Sequence, residues 1–483
     1  MNQVQPRNTD ERDTLLYQRV ADELAEDIQQ GLYQPGQKIP SVRQLSRDRN
    51  ISISTVNQAY SQLEDLGLIY AKPQSGYFVR FGLDQAPASA PVSIGDSPSE
   101  VTKGSLIKQM LADSQRPSTI NLGAAIPATA LLPYRSIQNH IQKAARFQHS
   151  EVVNYQFSPG YEPLRNQIAQ RMRNLDVRCH QDEVVITQGC TEAISLCLRA
   201  NTEPGDTVAV ESPCYYGFIQ IAEALGLKVI EIPTDPNSGM SIEALQLALQ
   251  QWSIKLVLIS TRFSTPTGCS LPQDKQQKMV ALLNQYKISA IEDDIYGELG
   301  FTDSHQTVLK SFDTEHRVIY CSSFSKTVAP GLRVGWCLPG PSLEAVKSLQ
   351  TFHSLGCSSL PQCAMASYLQ HGHYDKHLRS LRRTARDNMA RLSRTVREHF
   401  PSETLMSEPQ GGFVLWVYLP SSVSAIELKQ LALQYDIAII PGDMFSNTNH
   451  FSNAIRLSGA IEWNQNVEQA LKQLGKLVVQ LMD

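Results

Sequence analysis

The chain has 483 residues, 42% of them hydrophobic and 19% charged, and carries a formal net charge of −4. That length exceeds what one core can organise, so about three domains or subdomains are expected of an otherwise ordinary soluble globular composition. The small negative charge excludes a global basic field for nucleic acid or for anionic membrane, so any DNA contact must come from a local patch. Residues 1–13 are polar and lack the apolar centre of a signal peptide, and no apolar stretch is long enough to span a bilayer. A cytoplasmic protein with no membrane partner is expected. The nine cysteines form no Cys-x-x-Cys pair and read as reduced thiols, mostly core filler, with no disulfide framework and no metal site.

In chain order, Leu15, Val20, Leu24 and Ile28 approximate helical spacing and Gly31 ends that helix. A second helix starts at about Ser41, and a third runs from about Ser54 to Leu66, with Ser54 as its cap and Gly67 closing it. Leu68 to Ala71, a turn over Lys72 to Gly76, then Tyr77 to Val79 reads as a hairpin. Three short helices and a hairpin predict a winged helix-turn-helix over residues 14–80. Residues 82–100, GLDQAPASAPVSIGDSPSE, show no periodicity and form a linker, placed at 81–103. From 104 to 483 apolar strands alternate with helices. Strands are predicted at 183–187, 207–210, 228–230, 255–259, 288–291 and 317–320, with helices such as 191–200 and 273–286 between some of them. This is the pattern of a mostly parallel α/β sheet covered on both faces, with motifs at strand exits facing one crevice.

Lys38, Arg43, Arg47 and Arg49 face only Asp48 locally, while Asp22, Glu23, Glu26 and Asp27 gather on the first helix, so the head is polarised rather than basic. Hydroxyls and backbone N–H groups at the start of the third helix suit a phosphate, and Asn57, one turn in, suits a base edge. Pro40 to Leu45, Ile53 to Glu64, Gly67 to Ile69 and Gly76 to Val79 together resemble the GntR-type winged helix. The resemblance implies DNA contacts at Arg43, Ser52, Thr55, Asn57 and the wing tip Gly76. Ile53 stands where some relatives of that family carry a polar base-reading residue.

The segment Cys321-Ser-Ser-Phe-Ser-Lys326-Thr-Val-Ala-Pro-Gly-Leu-Arg333 follows the strand-like Val318-Ile319-Tyr320. A lysine at a strand exit, framed by hydroxyls and followed by an arginine, is what an imine site for pyridoxal 5'-phosphate requires. Gly189, Cys190 and Thr191 follow a strand and open a helix, a second phosphate clamp, with the Cys190 thiol itself read as packing. Beyond about residue 104 the chain resembles fold-type I, class I/II aminotransferases, which have a large mostly parallel sheet and a smaller C-terminal α+β subdomain. With the head attached, the whole resembles the MocR subfamily of GntR regulators.

That resemblance implies further roles. Lys326 forms the imine; Ser323, Ser325 and Arg333 hold the phosphate; Asp293 keeps the pyridine nitrogen protonated, with Asp294 pairing elsewhere. Tyr296 bonds the ring oxygen and Tyr215 stacks on the ring, with Tyr216 as core. Tyr155 reaches the neighbouring subunit's phosphate in a homodimer, and Arg456 clamps an amino-acid carboxylate. Thr265, in Thr265-Pro266-Thr267-Gly268, stands where the family usually has asparagine. Threonine is shorter, so cofactor binding is expected to survive while efficient transamination is not.

Two functions follow as expectations. One is a regulator that binds a double-stranded operator and senses pyridoxal phosphate, or an amino-acid-like amine, through an aldimine at Lys326. The other is an active aminotransferase carrying a DNA-binding head. An oxidoreductase on the same sheet is disfavoured by the lack of a Gly-x-Gly-x-x-Gly turn.

Overall fold

In a computed structural model of the protein, residues 16–29, 32–33, 37–65, 68–72, 76–79, 119–302, 307–370 and 372–482 are described. The expected linker, Leu15, the helix stop at Gly31, Gly67 and the turn residues 73–75 lie outside them. The described residues fall into two compact units.

The first unit has helices at Leu16–Gln29, Val42–Asp48 and Ile53–Asp65 and an antiparallel hairpin of Ile69–Lys72 with Gly76–Val79. Its apolar residues recur at helical spacing because they meet in one small core: Val20, Leu24, Leu45, Val56, Tyr60, Leu63, Ile69 and Val79 are all buried. Ser41 caps the second helix by accepting from the Gln44 amide at 3.2 Å. The third helix is capped by Ser52, whose hydroxyl accepts from the Thr55 amide at 3.0 Å. The cap predicted at Ser54 is thus two residues too late, because Ile53 already has helical geometry.

The second unit is built on an eight-stranded sheet. Its order is Val185–Thr187, Gly335–Leu338, Val318–Ser323, Ser289–Asp293, Ile254–Ile259, Thr207–Ser212, Lys228–Asp235 and Gly239–Met240. Its central strands run parallel, whereas Gly335–Leu338 is antiparallel to both of its neighbours. Strands in such a sheet read as continuous apolar runs because both faces are buried. In Ile254–Ile259, Leu256 and Leu258 join the core under helix Cys190–Asn201, while Val257 and Ile259 join the one under Ile242–Gln251 and Gln273–Tyr286. Glu183, predicted to begin a strand, instead ends a short 3₁₀ turn.

A smaller four-stranded antiparallel sheet follows, with Leu405–Met406, Val414–Tyr418, Ala454–Ser458 and Ile440–Pro441 in that order. Residues of His373–His399, Ala425–Leu433 and Gln465–Gln480 share its core. The strand Ile120–Asn121 pairs with Ile437–Ala438 and so ties the start of this unit to its C-terminal part. Two residues on, a side chain at Gly123 would lie 2.6 Å from the Ile440 amide nitrogen, so only glycine admits that approach. No helix among the described residues is long and apolar enough to cross a membrane.

Candidate functional site

Three strand ends converge. Asp293 lies opposite Cys321 across the parallel pair, and Ser323 lies opposite Gly335, which in turn faces Thr187. The turn after Thr187, the carboxylate of Asp293 and the loop carrying Lys326 therefore leave the sheet at one edge, where α/β sheets place ligands.

Gly189 turns the chain into helix Cys190–Asn201 with φ +89, and a side chain there would meet Arg333 Nη2 at 2.2 Å. The guanidinium donates to the Gln188 carbonyl at 2.8 Å and to Ser325 Oγ at 3.4 Å, with Ser323 Oγ accepting from the Ser325 amide. Hydroxyls, an exposed Arg333 and the amides of a helix start thus meet, a donor set suited to a dianion. Thr191 is exposed in the first turn of that helix.

Lys326 Nζ donates to the Ala125 carbonyl at 2.7 Å and stands 5.7 Å from the centre of the Tyr296 ring. Loss of water, reinforced by the Arg456 and Arg333 charges and opposed by Tyr216 and Asp293, pushes its pKa down to about 8. In the cofactor-free protein, labelling of Lys326 by an amine-specific reagent, read by peptide mass spectrometry, should therefore rise with pH around a midpoint near 8. An exposed lysine would respond near ~10.4. Arg456→Ala should move the midpoint up and Asp293→Asn should move it down. The folded state carries the cost of this partly buried ammonium below about 8 and sheds it as pH climbs toward the unfolded lysine's value.

Asp293 is buried, and its Oδ1 accepts from the Cys190 thiol at 3.2 Å and from the Ile295 amide at 3.2 Å. The Cys190 side chain, expected only to pack, is a hydrogen-bond donor to the central carboxylate. Burial raises Asp293 to about 6, with Asp294 adding to the rise, so the group is poised to accept a cationic partner. Asp294 turns away, as expected, to pair with Arg262 and to accept from the Tyr320 phenol.

Tyr215, Ser260, Arg262, Thr265, Asp293, Ile295 and Tyr296 enclose a cavity of about 30 Å³. Its volume is small, and the character of its groups carries the fit to a cofactor. The Thr265 hydroxyl is buried beside the Tyr296 phenol and lowers its pKa against the rise that burial causes. Tyr296 is itself buried. Tyr216, read as core, is only partly buried and bears electrostatically on both Lys326 and Arg456.

Arg456 is 4% exposed. Its Nε donates to the Gly123 carbonyl at 3.1 Å and its guanidinium sits 5.0 Å from the Phe445 ring centre, yet no carboxylate pairs with it among the described residues. A buried guanidinium without a counter-charge is costly and calls for an anion. Tyr155 is not brought into this cluster: it is 72% exposed and stacks on Phe157. Nothing in the sequence marks the carbonyls of Gly123 and Ala125, which lie about 200 residues or more from their partners in the chain. Arg262 lies in the segment that Thr265 drew attention to and carried no distinguishing motif.

In the head, Arg43 is exposed on the second helix, and the Ser52 hydroxyl lies 2.7 Å from those of Ser54 and Thr55. Asn57 is exposed on the next turn, and Gly76 begins the second hairpin strand. Arg49, grouped above with the unpaired cations, is instead bound to Glu23 of the first helix.

A model of the family described as aminotransferase class I and II matches residues 117–474, and one of bacterial regulatory proteins, gntR family, matches residues 16–79. The HTH-type transcriptional regulator YjiR of Escherichia coli is 37% identical over 469 residues, covering 97% of this chain and 99% of its own. Aromatic-amino-acid aminotransferase 1 of Thermococcus litoralis is 25% identical over 387 residues, covering 79% of this chain and 93% of its own. Among solved structures, α-aminoadipate aminotransferase LysN of Thermus thermophilus, complexed with N-(5'-phosphopyridoxyl)-L-leucine, superposes with a TM-score of 0.72 at 26% identity, over 78% of this chain and 95% of that one.

Proposed function

The chain belongs to the class I and II aminotransferase family and carries a gntR-family head, the MocR-type pairing, and from that premise we propose a DNA-binding regulator that senses pyridoxal phosphate and an amino-acid-like amine. The observation that carries it is Arg456, a buried guanidinium with no counter-charge whose field reaches Lys326. Bound there, pyridoxal phosphate supplies an aldehyde that captures amines and a ring that accepts electrons.

The residues suited to hold it are Lys326 at the aldehyde, Asp293 at the ring nitrogen, Tyr215 on the ring face and Tyr296 with Thr265 at the ring oxygen. Ser323, Ser325, Arg333 and the turn at Gly189 to Thr191 suit the phosphate. With the cofactor bound, Asp293 would hold a proton on the ring nitrogen, Cys190 fixes the carboxylate's direction, and Lys326, its pKa pushed down to about 8, would supply or take a proton. Arg456 orients the amine's carboxylate. The exposed patch of Val153, Tyr155, Phe157 and Phe352, 79, 72, 58 and 90% exposed, supports a homodimer covering it.

Arg43, Ser52, Thr55, Asn57 and the wing at Gly76 are proposed to meet the DNA. The test is operator affinity of the full-length protein, loaded with cofactor, against a panel of amino acids. At least one should shift affinity about fivefold or more, in line with ordinary coupling energies, and Arg456→Ala should abolish the shift; no response to any amine in the panel would sink the sensor reading. The aminotransferase reading is favoured by the same Lys326, Asp293 and Arg456 set, and repeated formation of pyridoxamine phosphate with a 2-oxo acid product would select it.

A further inference from the structure

A second cavity, of about 370 Å³, shares Arg262 with the first. From its lining we infer that this cavity is a binding site for a small carboxylate with an apolar body, separate from the amine site. It is more than twice the roughly 150 Å³ that accepts a benzene, enough for a ring with a short acidic arm.

Most of its charged groups are already engaged. Arg171, Arg262, Arg379 and Arg382 face it against Asp294, Glu298 and Asp375. Arg262 is committed to Asp294, and Arg171 to Glu298 and Asp375. Arg382 donates to the Glu298 carbonyl at 2.7 Å, whereas Arg379, exposed at the mouth, has no hydrogen-bond or ion-pair partner among the described residues. Met172, Leu175, Phe324, Trp336 and Leu378 supply the apolar wall. A guest with one anionic end and a hydrocarbon body satisfies both halves.

The cavity is wired to the lysine. Glu298 accepts from the Tyr374 phenol, whose oxygen accepts in turn from the hydroxyl of Thr327 at 2.9 Å, next in the chain to Lys326. Glu298 lies two residues after Tyr296 in the 3₁₀ turn Gly297–Leu299, and Ser322 donates from the lysine strand to the Asp294 carbonyl at 2.9 Å. A guest that pulls on Arg171 or Glu298 therefore loads the bonds that position Thr327.

The probe is 3-phenylpropionate, which has no amine and so cannot react at Lys326. Calorimetric titration uses full-length Arg456→Ala protein, in which the other carboxylate clamp is gone. Saturable one-to-one binding is expected, weakened at least roughly tenfold when Arg379→Glu is added, with 3-phenylpropanamide failing to bind. The proposal is overturned by no saturable binding to Arg456→Ala, by affinity that Arg379→Glu leaves unchanged, or by equal binding of the amide. Because neither Lys326 nor Arg456 takes part in the readout, failure here leaves the amine-sensing reading standing.

Discussion

Lys326→Ala is expected to abolish the visible absorbance of protein loaded with pyridoxal phosphate while leaving the fold intact. The amine donates to a single backbone carbonyl, that of Ala125, so its loss leaves one acceptor to be satisfied by water and disrupts no ion pair. Its depressed pKa means the folded state bears a cost for the ammonium at pH 7, so the cofactor-free variant should melt no lower than wild type. Binding to operator in the absence of cofactor should be kept, because the head has its own core. An unchanged absorption spectrum would remove Lys326 from the centre of the site; loss of folding by circular dichroism would show that the lysine is structural.

Arg43→Ala should weaken operator binding about tenfold or more and lower the slope of log affinity against log salt by about one. The distinction between arginines sharpens this. Arg43 is exposed, whereas Arg49 is held by Glu23 across the head. Arg49→Ala should therefore act on the head's own packing and change the salt slope less than Arg43→Ala does. Equal slopes for the two variants, or wild-type affinity for Arg43→Ala, would mean that another face meets the DNA.

The parts legible from residues alone are those in which local pattern and chemistry coincide. Lys326 with its hydroxyls, Gly189 at a strand exit and the acidic pair at Asp293 each advertise themselves within a dozen residues, and the strand runs of the large sheet are mostly apolar because both faces are buried. What stays hidden depends on long-range closure. The strand Gly335–Leu338 is four residues long, and its place between two others is set by pairing, not by its own sequence. The role of the Cys190 thiol needs Asp293, about a hundred residues away in sequence, to be seen beside it. Likewise, charge counting placed Arg49 among the free cations, and only the fold brings Glu23 to it.

The backbone from Ile120 to Ala125 has a position out of proportion to its size. Two of its carbonyls, Gly123 and Ala125, hold the two cations that a carboxylated amine and its aldehyde partner would claim. A ligand engaging both competes for two bonds of one stretch at once, and that stretch is held otherwise by the pairing of Ile120 and Asn121 with Ile437 and Ala438 and by the Ser458 amide, which donates to the Leu122 carbonyl. Among the described residues it also holds the first strand of the larger unit in chain order. Occupancy of the site thus bears directly on this stretch, and deuterium uptake by amides 120–126 becomes a gauge of whether the ligand loosens or tightens it.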